Sequence, residues 1–105
     1  MKKTRKKTVD ARSALEAIVG PLTFGSYLAA IREGEQITLE VFAKKLGVSR
    51  ANLCDIEKGR RNVSVQRASK WAKLLGYSES QFVKLAVQSE LDAAGVKLKV
   101  DVKAA

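Results

Sequence analysis

Arg50, Ala51, Asn52 and Asp55 lie close together in one short stretch and carry contacts suited to the edges of base pairs. An arginine guanidinium can donate two parallel hydrogen bonds to guanine O6 and N7. A carboxamide matches adenine N6 and N7, and a methyl group packs on thymine. A carboxylate only accepts, so among bases it suits a cytosine amino group. At about 100° per residue, a helix places Ala51, Asp55 and Lys58 on one face, with Arg50 and Asn52 flanking it at the first turn and Cys54 at its margin. Leu53 and Ile56 fall together on the other face, where they can pack inward with Val48, Phe42 and Leu46. The carboxylate of Asp55 would be repelled by phosphates, so orienting Arg50 or Lys58 is an equally good use for it.

Groups suited to the sugar-phosphate backbone surround this face. Lys58, Arg60 and Arg61 follow directly, and Lys44, Lys45 and Arg67 lie further out. Thr38 and Ser49 stand at the starts of two expected helices, where free N–H groups and the positive dipole end favour anions. Such contacts set register and affinity without reading sequence.

Charge follows the same division. The net charge is +9, of which residues 1–13 carry +5 and residues 44–73 carry +7, while residues 14–43 carry −3 and residues 74–105 balance. A polyanion is the simplest partner for that distribution. Other chemistries lack their groups. With no histidine in the chain, the commonest general base and the usual partner of a Ser or Cys nucleophile are missing. Cys54 is the only cysteine, so neither an internal disulfide nor a zinc site is expected. No Gly-rich phosphate loop and no pocket-like constellation is visible, and the reading is of a non-enzyme without a cofactor. No apolar run approaches the roughly 18 residues of a membrane span, and no signal region follows the basic start. The expected location is the cytoplasm, at the nucleoid.

The elements that must position these residues are helical. Residues 1–9 are Lys/Arg-rich, without apolar periodicity, and read as a basic disordered arm. Asp10 caps an expected helix over 10–20 whose Ala14, Leu15, Ile18 and Val19 recur at helical spacing, closed by Gly20-Pro21. Residues 21–94 read as the principal domain. Its expected helices run from about Thr23 to Glu33 (Phe24, Tyr27, Leu28 and Ile31 inward), from the Thr38 cap to Leu46, and from the Ser49 cap to Lys58. Two more run from the Ser64 cap to Leu75 (Val65, Ala68, Trp71, Ala72 and Leu75 inward) and from Ser78 to about Ala93. Gly47 stands where a helix end favours a left-handed residue, and Gly59 closes the next helix. The two helices flanking Gly47-Val48-Ser49 thus form a helix-turn-helix.

Residues 95–105 break the pattern. Val96, Leu98, Val100 and Val102 alternate with Lys97, Lys99, Asp101 and Lys103, the period-2 signature of a half-buried strand. A lone strand leaves its backbone groups unpaired. Pairing is therefore expected between chains, either with a second copy or with another protein by strand addition.

Residues 23–83 resemble the helix-turn-helix domain of Cro/C1-type, XRE-like proteins. The matching elements are Tyr27-Leu28, Ile31-Arg32, Thr38-Leu39, Phe42-Ala43, Leu46-Gly47-Val48-Ser49, Leu53, Ile56-Glu57, Gly59, Ser64, Ala72 and Leu75-Gly76. The resemblance implies an all-α, lambda-repressor-like domain of about five helices, extended here by the N-terminal helix and C-terminal strand. It further implies base contacts at positions 50, 51 and 55 and a structural ion pair between Arg32 and Glu57. Leu39, where relatives have Gln, Val63, where they often have Pro, and the core aromatic Trp71 depart from the pattern. The function implied is a double-stranded DNA-binding regulator, a repressor acting as a homodimer on a palindromic operator. The alternative is an antitoxin of the HipB kind that binds a toxin and autoregulates its operon.

Overall fold

The computed structural model describes residues 22–103, with five helices among them: α1 Phe24–Gly34, α2 Leu39–Leu46, α3 Arg50–Glu57, α4 Val65–Leu75 and α5 Glu79–Ala93. The basic arm and the helix expected over 10–20 lie outside the described residues.

Each helix starts on a hydroxyl cap. Thr23 and Ser26 form a reciprocal capping box (Ser26 N to Thr23 Oγ1 3.1 Å, Thr23 N to Ser26 Oγ 2.9 Å). Thr38, Ser49, Ser64 and Ser78 accept from the backbone N–H three residues on, at 3.2, 3.0, 3.1 and 3.2 Å. Each cap satisfies one of the N–H groups that a helix start leaves unpaired.

Helix α1 packs against α3 and α5, α2 against α3, and α4 against α5. The apolar stripes meet in one core. An aromatic cluster lies at its centre: Phe82 takes Phe24 and Tyr27 edge-on at 5.7 and 5.6 Å between centroids, and Phe24 stacks on Trp71 at 6.4 Å. Such pairs favour these geometries because ring faces are negative and ring edges positive. Trp71 is 1% exposed, which makes it a core residue. Leu39 is packed in part against the core and Val63 is buried in it, so both positions that depart from the family pattern serve packing. Val65 differs from expectation, being 43% exposed. It has the right angular position, but as the first residue of α4 it protrudes past the helices that cover Ala68 and Ala72.

The strand expected over 96–103 is not formed, and there is no strand among the described residues. The physical reason is the absence of a second strand to complete a ladder. The chain leaves α5 at Gly95 and returns along it instead. The Gln88 side chain on α5 donates from Nε2 to the Leu98 carbonyl and accepts at Oε1 from the Val100 N–H, both at 2.9 Å. The alternation survives in burial: Val100 and Val102 are half-buried, while Lys97, Lys99, Asp101 and Lys103 are exposed. Val96 is exposed too, and Leu98 is 64% exposed.

Candidate nucleic-acid interface

The geometry of the site begins with the turn between α2 and α3. Gly47 takes φ 76 at the end of α2, and the Val48 N–H reaches back to the Ala43 carbonyl at 3.0 Å. This 6→1 closure reverses the chain and launches α3 from Ser49. Leu53 and Ile56 are buried, which turns the opposite face of α3 outward. Arg50 and Ala51 on that face are exposed.

The other two expected base-reading residues are placed differently. Asn52 is half-buried, and its Oδ1 is sealed from solvent with no hydrogen-bond partner among the described residues. Presenting both amide atoms to an adenine therefore takes rotation of the side chain. Asp55 is half-buried and paired, though with neither Arg50 nor Lys58. Its Oδ1 accepts a hydrogen bond from Nε of Arg60 at 2.9 Å and forms an ion pair with Nη2 at 2.9 Å. Sequence reasoning missed this partner, although Gly59 pointed to it. With φ 79 at Gly59, the Arg60 N–H returns to the Asp55 carbonyl at 2.8 Å and the Gly59 N–H to the Ile56 carbonyl at 3.1 Å. That closure folds residue 60 back over residue 55, and a residue bearing a Cβ would be strained at Gly59. The Arg60 charge offsets the phosphate repulsion that Asp55 would otherwise cause.

Thr38 and Ser49 are exposed at the starts of α2 and α3. Their oxygens accept from the capping N–H, which leaves each O–H free to donate to a phosphate oxygen. Lys58, Arg60 and Arg61 are exposed at the end of α3 and in the loop beyond it, as are Lys44, Lys45 and Arg67. Arg67 also lies 5.7 Å from the centre of the Trp71 ring.

Behind the exposed face, α3 is anchored to α1 at two places. Arg32 donates from Nε and Nη2 to Glu57 Oε2 and Oε1 at 2.8 and 3.2 Å, and from Nη1 to the Ile37 carbonyl at 3.1 Å. The hydrogen bond to Glu57 raises the Arg32 pKa above its ordinary value, against the opposing effect of burial. Gly25 sits so close to the end of α3 that a Cβ there would lie 2.2 Å from the Ile56 carbonyl oxygen. Nothing in the sequence marked Gly25 as a contact point, because a glycine in a first helical turn also occurs without one. Val96, Leu98, Val100 and Val102 lie beyond α5, on the segment that Gln88 holds.

Five helices that present an outward-facing second helix after a tight turn define a helix-turn-helix domain. A helix-turn-helix family model matches residues 28–82, just over half of the chain, and the chain belongs to that family, in its Cro/C1-type, XRE-like branch. A solved structure from Nostoc punctiforme PCC 73102, described as a candidate antidote protein of a plasmid maintenance system, shares the fold with a TM-score of 0.61. Its sequence is 28% identical, over 70% of this chain and 81% of that one. No curated protein matches the chain in sequence. Among the described residues no helix is long and apolar enough to cross a membrane.

Proposed function

We propose that the chain is a transcriptional repressor that reads double-stranded DNA as a homodimer on a palindromic operator. The observation that carries this reading is the orientation of α3, which buries Leu53 and Ile56 and exposes Arg50 and Ala51. Arg50 and Ala51 meet base edges, joined by Asn52 once its amide turns outward and by Asp55 as held by Arg60. Thr38, Ser49, Lys58, Arg60 and Arg61 grip phosphates. Two-fold symmetry would set two such helices about 34 Å apart, one DNA turn, or a multiple of that spacing.

The two copies join through residues 95–105. In extended backbone, alternate residues direct their N–H and C=O groups to opposite edges. Gln88 holds the edge that carries Leu98 and Val100. Among the described residues, the backbone groups of Lys97, Lys99 and Asp101 make no hydrogen bond, which suits pairing with the same segment of a second copy.

Selection of preferred sites from random duplex DNA tests the reading. The expected product is a palindrome bound with a steep salt dependence, a log–log slope of about −0.9 per phosphate neutralised. No sequence preference and a flat salt response would overturn it.

The likeness to the Nostoc candidate antidote protein supports a second reading, an antitoxin that also binds its own operator. Here the terminal segments would hold a toxin. A small toxin-like gene beside this one, and co-purification of its product with the chain, would favour that reading over the first.

A further inference from the structure

A groove of about 290 Å³ opens between the start of α1, the loop that leaves α3 and the last turns of α5. Phe24, Ile56, Val63 and Ala93 give it apolar walls, and its rim carries Arg61 and Asp92, one charge of each sign. A cavity of about 150 Å³ lined by aliphatic side chains holds a benzene ring, so this volume accommodates two or three aliphatic side chains. Small-molecule sites start at about 300 Å³ and enclose most of their ligand, whereas this groove is partly open to solvent.

Thr23 itself lines the groove, so the preceding chain enters the described structure at the groove's edge. Residues 11–19 carry Ala11, Ala14, Leu15 and Ile18 at helical spacing, with Arg12 and Glu16 on the other side. Such a stripe must be covered to be stable in water. Gly20 and Pro21 supply the break that lets a helix fold back at once, since proline disfavours helical backbone in the residue before it. The three residues between Val19 and Thr23 limit the reach of that stripe to about 14 Å at full extension, which confines it to this end of the molecule.

We propose that the groove is the seat of the chain's own residues 11–19, docked as an amphipathic helix with Leu15 and Ile18 on Phe24, Ile56, Val63 and Ala93. Arg61 and Asn62 belong to the loop that leaves α3, so the docked helix delivers the basic residues 2–7 beside the phosphate-facing group Lys58, Arg60 and Arg61. The basic start and the +7 segment thereby become one continuous surface.

Two measurements on the full chain test this. In a Cys54→Ser background, Ile18→Cys with Ala93→Cys is oxidised and resolved on a non-reducing gel. A disulfide within one chain is expected; a covalent dimer, which would mean that a second copy fills the groove, or a failure to link overturns the proposal. The unaltered chain is also digested with trypsin over time. Cleavage after Arg12 is expected about tenfold more slowly than after Lys7, because it requires the helix to leave the groove, and Ile18→Asp is expected to equalise the two rates. Equal rates in the unaltered chain, or a ratio that Ile18→Asp leaves unchanged, overturns it.

Discussion

Arg32 on α1 and Glu57 in the last turn of α3 hold each other through two parallel hydrogen bonds while only 16% and 8% of their side chains remain exposed. The pair joins the helix that reads outward to one that does not, and so fixes the tilt of α3. Removing one partner leaves the other charge enclosed and uncompensated, whereas an apolar replacement of both can be nearly neutral. Glu57→Gln should lower unfolding stability by about 2–4 kcal/mol, and Arg32→Met with Glu57→Leu should recover most of that loss. Urea unfolding of the four species of this cycle measures it. A loss below about 0.5 kcal/mol in the single variant would place the pair with ordinary surface ion pairs.

Gly25 contributes to the same junction by having no side chain. Alanine is the better helix former by about 1 kcal/mol, yet a Cβ here would meet the Ile56 carbonyl oxygen at 2.2 Å and the Glu57 carbonyl oxygen at 2.9 Å. Gly25→Ala should therefore destabilise by about 1–3 kcal/mol, as overpacking does. Gly34, in the last turn of the same helix, has nothing within 4 Å of the corresponding position. Gly34→Ala should stabilise by about 0.5–1 kcal/mol. Thermal midpoints moving in opposite directions would confirm the contrast, and a shared direction would refute the account of Gly25.

The phenol of Tyr77 donates to Glu35 Oε2 at 3.1 Å. Burial first, and this carboxylate second, raise its pKa above the ordinary value of 10.0. The folded value exceeds the unfolded one, so this contribution to stability is complete below about pH 10 and fades as pH rises through the folded value. In a Tyr27→Phe background, phenolate absorbance should show a midpoint above 10, and Glu35→Gln should lower it without fully restoring the ordinary value. A midpoint unmoved by Glu35→Gln would remove the carboxylate from the explanation.

How much of this was legible in the sequence depended on how local the cause was. Caps at Thr23, Thr38, Ser49, Ser64 and Ser78 act over three residues, and the helices start where those residue types predict. Leu53 and Ile56 at helical spacing settle which face of α3 is buried. The ion pair of Arg32 and Glu57 spans 25 positions and was reached only through family resemblance. The contact at Gly25 and the hold of Gln88 on the C-terminal segment depend on how helices approach in space, and no sequence period encodes that. Asp55 falls between: its pairing with Arg60 is local, but it follows from the turn at Gly59 rather than from helical spacing.

Arg50 and Arg60 should separate base reading from backbone grip. Arg50 is exposed and unpaired among the described residues, so its five donors are available to a guanine. Arg50→Ala should cost about 1–3 kcal/mol on the selected operator and relax preference at one base pair. Arg60 already donates a hydrogen bond to Asp55 and is ion-paired with it. Arg60→Ala should weaken binding to all sequences and reduce the magnitude of the salt slope by about 0.9. Fluorescence anisotropy on operator and random duplexes at several salt concentrations distinguishes them. Equal losses on both duplexes for Arg50→Ala would refute its base-reading role.

In the proposed dimer the C-terminal segment is what joins the two copies. The Leu98 side chain is mostly exposed, on a segment whose backbone is held by one glutamine. Deleting residues 95–105 should leave the five helices intact, because none of the buried core residues lies in that segment. The product should sediment as a monomer and bind the operator more weakly, since each half-site then binds on its own. Gln88→Ala should give a milder effect in the same direction, by releasing the Leu98 and Val100 edge whose anchoring keeps Lys97, Lys99 and Asp101 in line for pairing. If the truncated chain still sediments as a dimer, the interface lies elsewhere and only the half-buried Val100 and Val102 have a role, in packing the segment.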